Sequence, residues 1–170
     1  MHPDTEKLIN ALRGLSLTVE ACDYQQRGYH FAIDAESGKL RALAEVMLEH
    51  EMFLAFVGGL HVKPAIEIIY QFATYAGACR FVVRVAVAPD NSVPTISDIF
   101  QGANWHERET RDFFGVDFTG HPNLVPLILA EEDVDLKPLL KKEEALKDTA
   151  EVRWAAPVEA KPEVEKAEQG

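Results

Sequence analysis

Apolar positions along the first half of the chain follow two periods. Leu8, Leu12 and Leu15 recur at i, i+4 and i+7, which predicts a helix opened by Pro3 and Asp4 and ending near Gly14. Residues 17–21 and 28–33 read as short strands, with 23–27 as the polar turn between them. Ser37 stands where a helix cap is wanted. Beyond it Leu40, Leu43, Ala44 and Met47 form one apolar stripe, with Arg41, Glu45 and Glu49 on the opposite face. Residues 52–59 are almost continuously apolar, the pattern of a central strand. In 65–72, Ile66, Ile68, Tyr70 and Phe72 alternate with Glu67, Ile69 and Gln71. In 79–87, Phe81, Val83, Val85 and Val87 face away from Arg80 and Arg84. The intervening 73–77 suits a hairpin, with Gly77 free to take positive φ. The predicted order α-β-β-α-β-β-β implies an α+β domain, with a mixed or antiparallel sheet covered by helices.

The texture changes after Ala88. A turn-rich loop leads into two predicted short helices, near 95–101 and 105–113. From about 119 no period survives, because Pro122, Pro126 and Pro138 keep breaking it. Residues 1–118 are expected to form the α+β body, 119–146 an extended docking segment, and 147–170 a charged tail of disordered composition. The leucines of 124–140 must be buried against something. The body can cover some of them, and another chain is the natural cover for the rest.

Composition narrows the function classes. A formal charge of −11 argues against sequence-independent nucleic-acid binding, which needs a basic surface to displace phosphate counterions. No apolar run approaches the roughly 20 residues of a membrane-crossing helix. Asp4, Glu6 and Lys7 interrupt any leader-like core at the N-terminus. Cys22 and Cys79 have no CxxC partner and read as reduced thiols of an intracellular protein. Two cysteines are too few for the usual iron–sulfur centre, which takes about four.

Candidate chemistry concentrates in 104–118, NWHERETRDFFGVDF. His106-Glu107 opens like the zinc motif H-E-x-x-H, but Thr110 stands where the second histidine must be for both rings to reach one ion. Glu107, Glu109 and Asp112 could include an acid–base pair of a stand-alone hydrolase, but nothing nearby would orient a substrate. A plain helix accounts for most of the residues. Asn104 would cap it, with Glu107 completing a capping box. Glu107–Arg111 and Arg108–Asp112 would pair at i, i+4, and Gly115 would end it. Trp105, Phe113 and Phe114 beside arginines have the composition of an interface, since such residues join large buried area to directed polar contacts. A free-standing α+β binding module is the further alternative.

Residues 97–124 resemble the signature of the respiratory complex I 30-kDa subunit family, which corresponds to the C subunit of NADH dehydrogenase. That family includes the corresponding subunits of membrane-bound, energy-converting [NiFe] hydrogenases. The matching positions are Glu107, Arg108, Glu109, Asp112, Phe113, Phe114 and Gly115, then Gly120, His121 and Pro122. The resemblance covers about 65–140. It implies a non-catalytic, peripheral subunit on the cytoplasmic side of the membrane, with no cofactor of its own. It would support a large catalytic subunit that carries a nickel–iron site or a quinone pocket. Small iron–sulfur subunits would be further partners, and the membrane arm would be met only indirectly. The implied partner interface comprises Trp105, Glu107, Arg108, Glu109, Asp112, Phe113, Phe114, Gly115, His121, Pro122 and Leu124. Complex I members of the family carry arginines where Val125 and Pro126 stand here, and later a P-L-R-K-D stretch that 138–144 matches poorly. These departures point to the hydrogenase branch, with the equivalent subunit of a NADH:quinone oxidoreductase as the alternative.

Overall fold

A computed structural model describes residues 3–75 and 79–153. Helix α1 (Pro3–Gly14) and helix α3 (Leu40–Glu49) lie on one face of a five-stranded sheet. Its strands are β1 (Val19–Ala21), β2 (Phe31–Ala35), β3 (Phe53–His61), β4 (Ile66–Ala73) and β5 (Arg80–Ala86). They run in the order β1-β2-β5-β4-β3. β2 pairs with β5 in parallel, and the other pairs are antiparallel, so the sheet is mixed as the α+β reading expects. The predicted stripes form the core. Leu8 and Leu12 meet Leu40, Leu43, Ala44 and Met47 above Ile33, Ile68, Tyr70, Phe72, Phe81, Val83 and Val85.

Local details depart from the sequence reading. The polar turn at 23–27 is one turn of helix, α2 (Tyr24–Arg27), because Asp23 accepts from the Gln25 amide and Gly28 closes it at φ 75°. Ser37 caps nothing; a 3-10 turn (Ser37–Lys39) leads directly into α3. Strand β3 is an edge strand, not a central one. It is apolar on both faces because a bulge after Leu54 keeps Leu54 and Val57 on the face covered by the core, while Phe56 and Leu60 stay partly open on the other. The proposed turn residue Gly77 lies outside the described residues.

Strand β6 (Ser92–Pro94) and strand β7 (Asp117–Thr119) form a small parallel pair, joined by helix α4 (Ala103–Phe114) as the crossover. The first predicted short helix is a single turn at Ile96–Phe100, where Ile99 and Phe100 both donate to the Ile96 carbonyl. The Ile96 amide, which has no acceptor within that turn, is taken by a side chain of α4. From 120 to 148 the chain is irregular apart from two 3-10 turns. It then returns to the body, and this moves the expected boundary of the tail. The Lys63 amide donates to the Lys147 carbonyl, and the Thr149 amide to the Lys63 carbonyl. Arg153, in the short helix α5 (Thr149–Arg153), forks across the open face of the sheet to Asp34 and Glu67, each at 2.8 Å. Residues 147–153 are therefore part of the packed structure; 154–170, with Trp154, lie outside the described residues.

Helix α4 reaches the sheet because Gly59 has no side chain. A Cβ there would sit 2.5 Å from the buried Phe114 ring. At Gly58 the conflict is with the ring of Phe56, which is nearly half exposed and can swing away. Gly59→Ala is therefore expected to lower stability by about 1–3 kcal/mol through overpacking, while Gly58→Ala stays within about 0.5 kcal/mol of the parent. Urea unfolding of the two variants checks this contrast.

Candidate functional site

Helix α4 carries most of the charged signature and divides it by face. The Gly115 C-cap sits at φ 75°, as the sequence requires. The N-terminus differs from the prediction. The helix begins at Ala103 with Gly102 at the cap, and no side chain caps it. The Ala103 and Asn104 amides donate to the Phe100 and Gln101 carbonyls of the preceding turn, which leaves Asn104 no capping task.

Glu107 is fully buried and makes no capping box. Its Oε1 accepts from the Ile96 amide at 2.9 Å, and its Oε2 from the Thr95 hydroxyl at 2.5 Å. Thr95 Oγ1 also lies 2.8 Å from Ser97 Oγ and accepts from the Ser97 amide. Burial pushes the Glu107 carboxyl up to about 7, against the opposing pull of these hydrogen bonds. Burial, and then the nearby Glu107 charge, also push the Tyr70 hydroxyl well above its ordinary range. That hydroxyl finds no hydrogen-bond partner among the described residues.

His121 closes the same cluster from the loop after β7. Its Nδ1 accepts from the Asn123 amide at 3.1 Å, so the proton sits on Nε2, which donates to the Asn104 carbonyl at 3.2 Å. Nε2 is 3.9 Å from Glu107 Oε2, too far for a hydrogen bond. Burial lowers the His121 pKa further, so the ring is a neutral strut between the loop and α4.

Arg108 and Asp112 hold the irregular segment. The expected Arg108–Asp112 and Glu107–Arg111 pairs are absent from this geometry. Arg108 instead donates to the Val125 and Pro126 carbonyls, at 3.0 and 2.8 Å. Asp112, with no exposed surface, accepts at Oδ2 from the Leu127, Ile128 and Leu129 amides, at 2.8, 2.8 and 3.2 Å. Burial raises its pKa, but the three amides and Arg111 more than cancel that and hold the carboxyl below its usual range. Five successive residues, 125–129, are thus gripped through backbone groups alone.

The implied interface residues therefore separate. Glu107, Asp112 and Phe114 face inward, and the His121 side chain is sealed in, so they build the scaffold and offer a partner no side-chain surface. Phe113 is half-buried, its carbonyl accepts from the Leu139 amide, and Leu124 packs against the core. Trp105 is 69% exposed and does not fasten α4 to the body. It shares the outer face with His106 and Glu109, and Pro122 is exposed nearby. Val125, Ile128, Leu136, Leu139 and Leu140 add a row of exposed apolar side chains along the segment. Thr95, Ser97, Tyr70 and Gly59 complete the site without having been singled out. Only the Gly58-Gly59 pair inside an apolar strand could have signalled the close approach. Among the described residues, no group of three His, Cys, Asp or Glu could hold a metal ion, and no helix is long and apolar enough to cross a membrane.

An α+β domain whose signature helix holds down an irregular apolar segment has counterparts among known proteins. The family model for "Respiratory-chain NADH dehydrogenase, 30 Kd subunit" matches residues 33–149. The chain belongs to that family. The C subunit of NADH-quinone oxidoreductase from Roseiflexus castenholzii is 44% identical over 80 residues, covering 46% of this chain and 45% of the relative. Its counterpart from Burkholderia thailandensis is 31% identical over 120 residues, covering 69% and 58%. The chain thus spans about half the length of these curated relatives. A chain in the structure of the membrane-bound sulfane sulfur reductase, an archaeal respiratory membrane complex, has the same fold. It superposes with a TM-score of 0.68 at 18% identity, covering 98% of this chain and 96% of that one.

Two variants test the buried carboxylates. Asp112→Ala leaves three amides without their acceptor and should lower stability by about 3 kcal/mol, with amide exchange rising first at 127–129. Glu107→Gln keeps an acceptor for Ile96 and a donor toward Thr95. The folded pKa of Glu107 lies above its ordinary 4.5, so its contribution is complete below about 4.5 and lost as pH rises through about 7. The parent is therefore expected to lose about 3 kcal/mol relative to Glu107→Gln across that window, measured by urea unfolding at successive pH values.

Proposed function

We propose that this chain is a structural subunit, without a redox centre of its own, of a membrane-associated complex I-like respiratory assembly. It sits peripherally, on the cytoplasmic side, and supports the large catalytic subunit through the outer face of α4 and the segment 120–146. The observation that carries the reading is the family match across 33–149, which takes in both the clamp helix and the segment it holds. The exposed apolar row at Val125, Ile128, Leu136, Leu139 and Leu140 supports it, since a segment held this firmly yet left uncovered suits a second surface.

Within the family we favour the branch with a nickel–iron large subunit. Val125 and Pro126 replace the arginines that the resemblance leads one to expect. The fold shared with a chain of the membrane-bound sulfane sulfur reductase supports this branch. The second reading, a subunit of a NADH:quinone oxidoreductase, is favoured by the names of those same sequence relatives.

Affinity purification of the tagged chain from gently solubilised native membranes, with mass spectrometry of what it retains, tests the proposal. A large subunit with bound nickel, together with small iron–sulfur subunits, is the expected result. Quinone-site and NADH-input subunits would move the protein to the second branch. Recovery of the chain alone would overturn the assembly reading.

A further inference from the structure

The outer face of α4 borders a shallow depression of about 580 Å³. Trp105, His106 and Glu109 line one side, Leu127 and Ile128 the other, with Gly102 between. The Asp112 grip on the 127–129 amides fixes the second wall, so the depression is a built feature of the fold. Trp105 is 69% and Ile128 58% exposed. Gly102 has αR geometry, and a Cβ there would meet nothing within 4 Å, so the space beside it is open.

The charge at its rim has no arginine or lysine partner among the described residues. Glu109 has His106 Nδ1 at 3.8 Å as its ion-pair partner among the described residues. The arginines on either side are turned elsewhere. Arg108 is spent on the Val125 and Pro126 carbonyls, and Arg111 Nη1 lies 3.9 Å from Asp112. Covering this face with a purely apolar surface would strip water from Glu109 and leave its charge unpaired, which is strongly unfavourable. An acidic partner would meet repulsion from Glu109 and from a chain of net charge −11. Arginine matches all the groups present. Its guanidinium plane stacks on an indole, its fork binds a carboxylate with two parallel hydrogen bonds, and its stem covers aliphatic side chains. A lysine would supply the charge without the plane or the fork.

We propose that this depression is the receptor for an arginine projecting from an apolar segment of the large subunit. The guanidinium stacks on Trp105 and pairs with Glu109, and the flanking apolar side chains lie on Leu127 and Ile128. This rests on the assembly reading above and names the contact that reading leaves open.

The test uses the full chain in its assembly. Glu109→Arg reverses the rim charge, and Gly102→Leu fills the depression from a position with no contact to the core. Glu20→Arg, an exposed change on β1, is the control. Each purified variant is first checked for an unchanged melting temperature. Both site variants are expected to lower retention of the large subunit by about tenfold at 150 mM salt, and the control to leave it unaltered. A photo-crosslinking residue at Gln101, beside Gly102 on the rim, should attach to a large-subunit peptide containing an arginine. Normal retention in both site variants, with the parent complex intact, would overturn this contact and leave the assembly reading standing. Cross-links only to a second copy of this chain, to its own residues 154–170, or to a segment lacking arginine would also overturn it. A parent chain that retains no partner would remove both.

Discussion

Two carboxylates on one helix, both without exposed surface, set the terms for the second half of this protein. A buried carboxylate is tolerated only where donors replace its lost water, and backbone amides are the donors nearest to hand. Glu107 takes the Ile96 amide ahead of the helix, and Asp112 takes the 127–129 amides after it. Each bond satisfies a group that would otherwise be stranded in non-repetitive chain. The helix therefore organises segments that have no regular structure of their own. The two sites differ in their electrostatic outcome. Four donors and cations outweigh burial at Asp112, whereas one amide and one hydroxyl do not at Glu107.

This arrangement explains how an irregular segment can be well placed without a periodic sequence. Arg108 binds carbonyls at 125 and 126, where Pro126 has no N–H to offer, and Asp112 begins collecting amides at 127. Further on, Leu139 donates to the Phe113 carbonyl, Lys141 to His61 Nδ1, and Lys147 accepts from Lys63. The segment thus runs from α4 past the end of the edge strand β3 and on to the open face of the sheet. An apolar edge strand is an invitation to aggregate, and this course gives its end a covering.

Much of the fold was legible because its signals are local. The alternation in β4 and β5 and the stripe of α3 each depend on residues a few positions apart, and each stripe is buried as read except at Ile66, which is partly exposed at the start of β4. The position of β3 at the edge was not legible, because pairing partners lie far apart in sequence and an apolar run does not say what covers it. The signature was located correctly but its interactions were misread. Spacing within a helix suggests i, i+4 ion pairs between Glu107, Arg108, Arg111 and Asp112, yet three of these side chains find better partners 11 to 18 residues away. Exposed ion pairs of that kind contribute only a few tenths of a kcal/mol, so a buried carboxylate with several amide donors wins.

The clamp also bears on how far the chain can depart from its relatives. Arg108 and Asp112 recognise carbonyls and amides, so the identities of the side chains at 125–129 are not read by the scaffold. Val125 and Pro126 can replace basic residues without loosening the segment. Pro126 suits a position whose amide is not used. The outward side chains are then free to follow whatever surface they meet, while Glu107, Asp112, Phe114 and Gly59 are held by internal geometry. A substitution on the inner set acts on folding first and on assembly only as a consequence. Under the proposed assembly, a substitution at Trp105, Glu109 or Ile128 acts on partner contact alone.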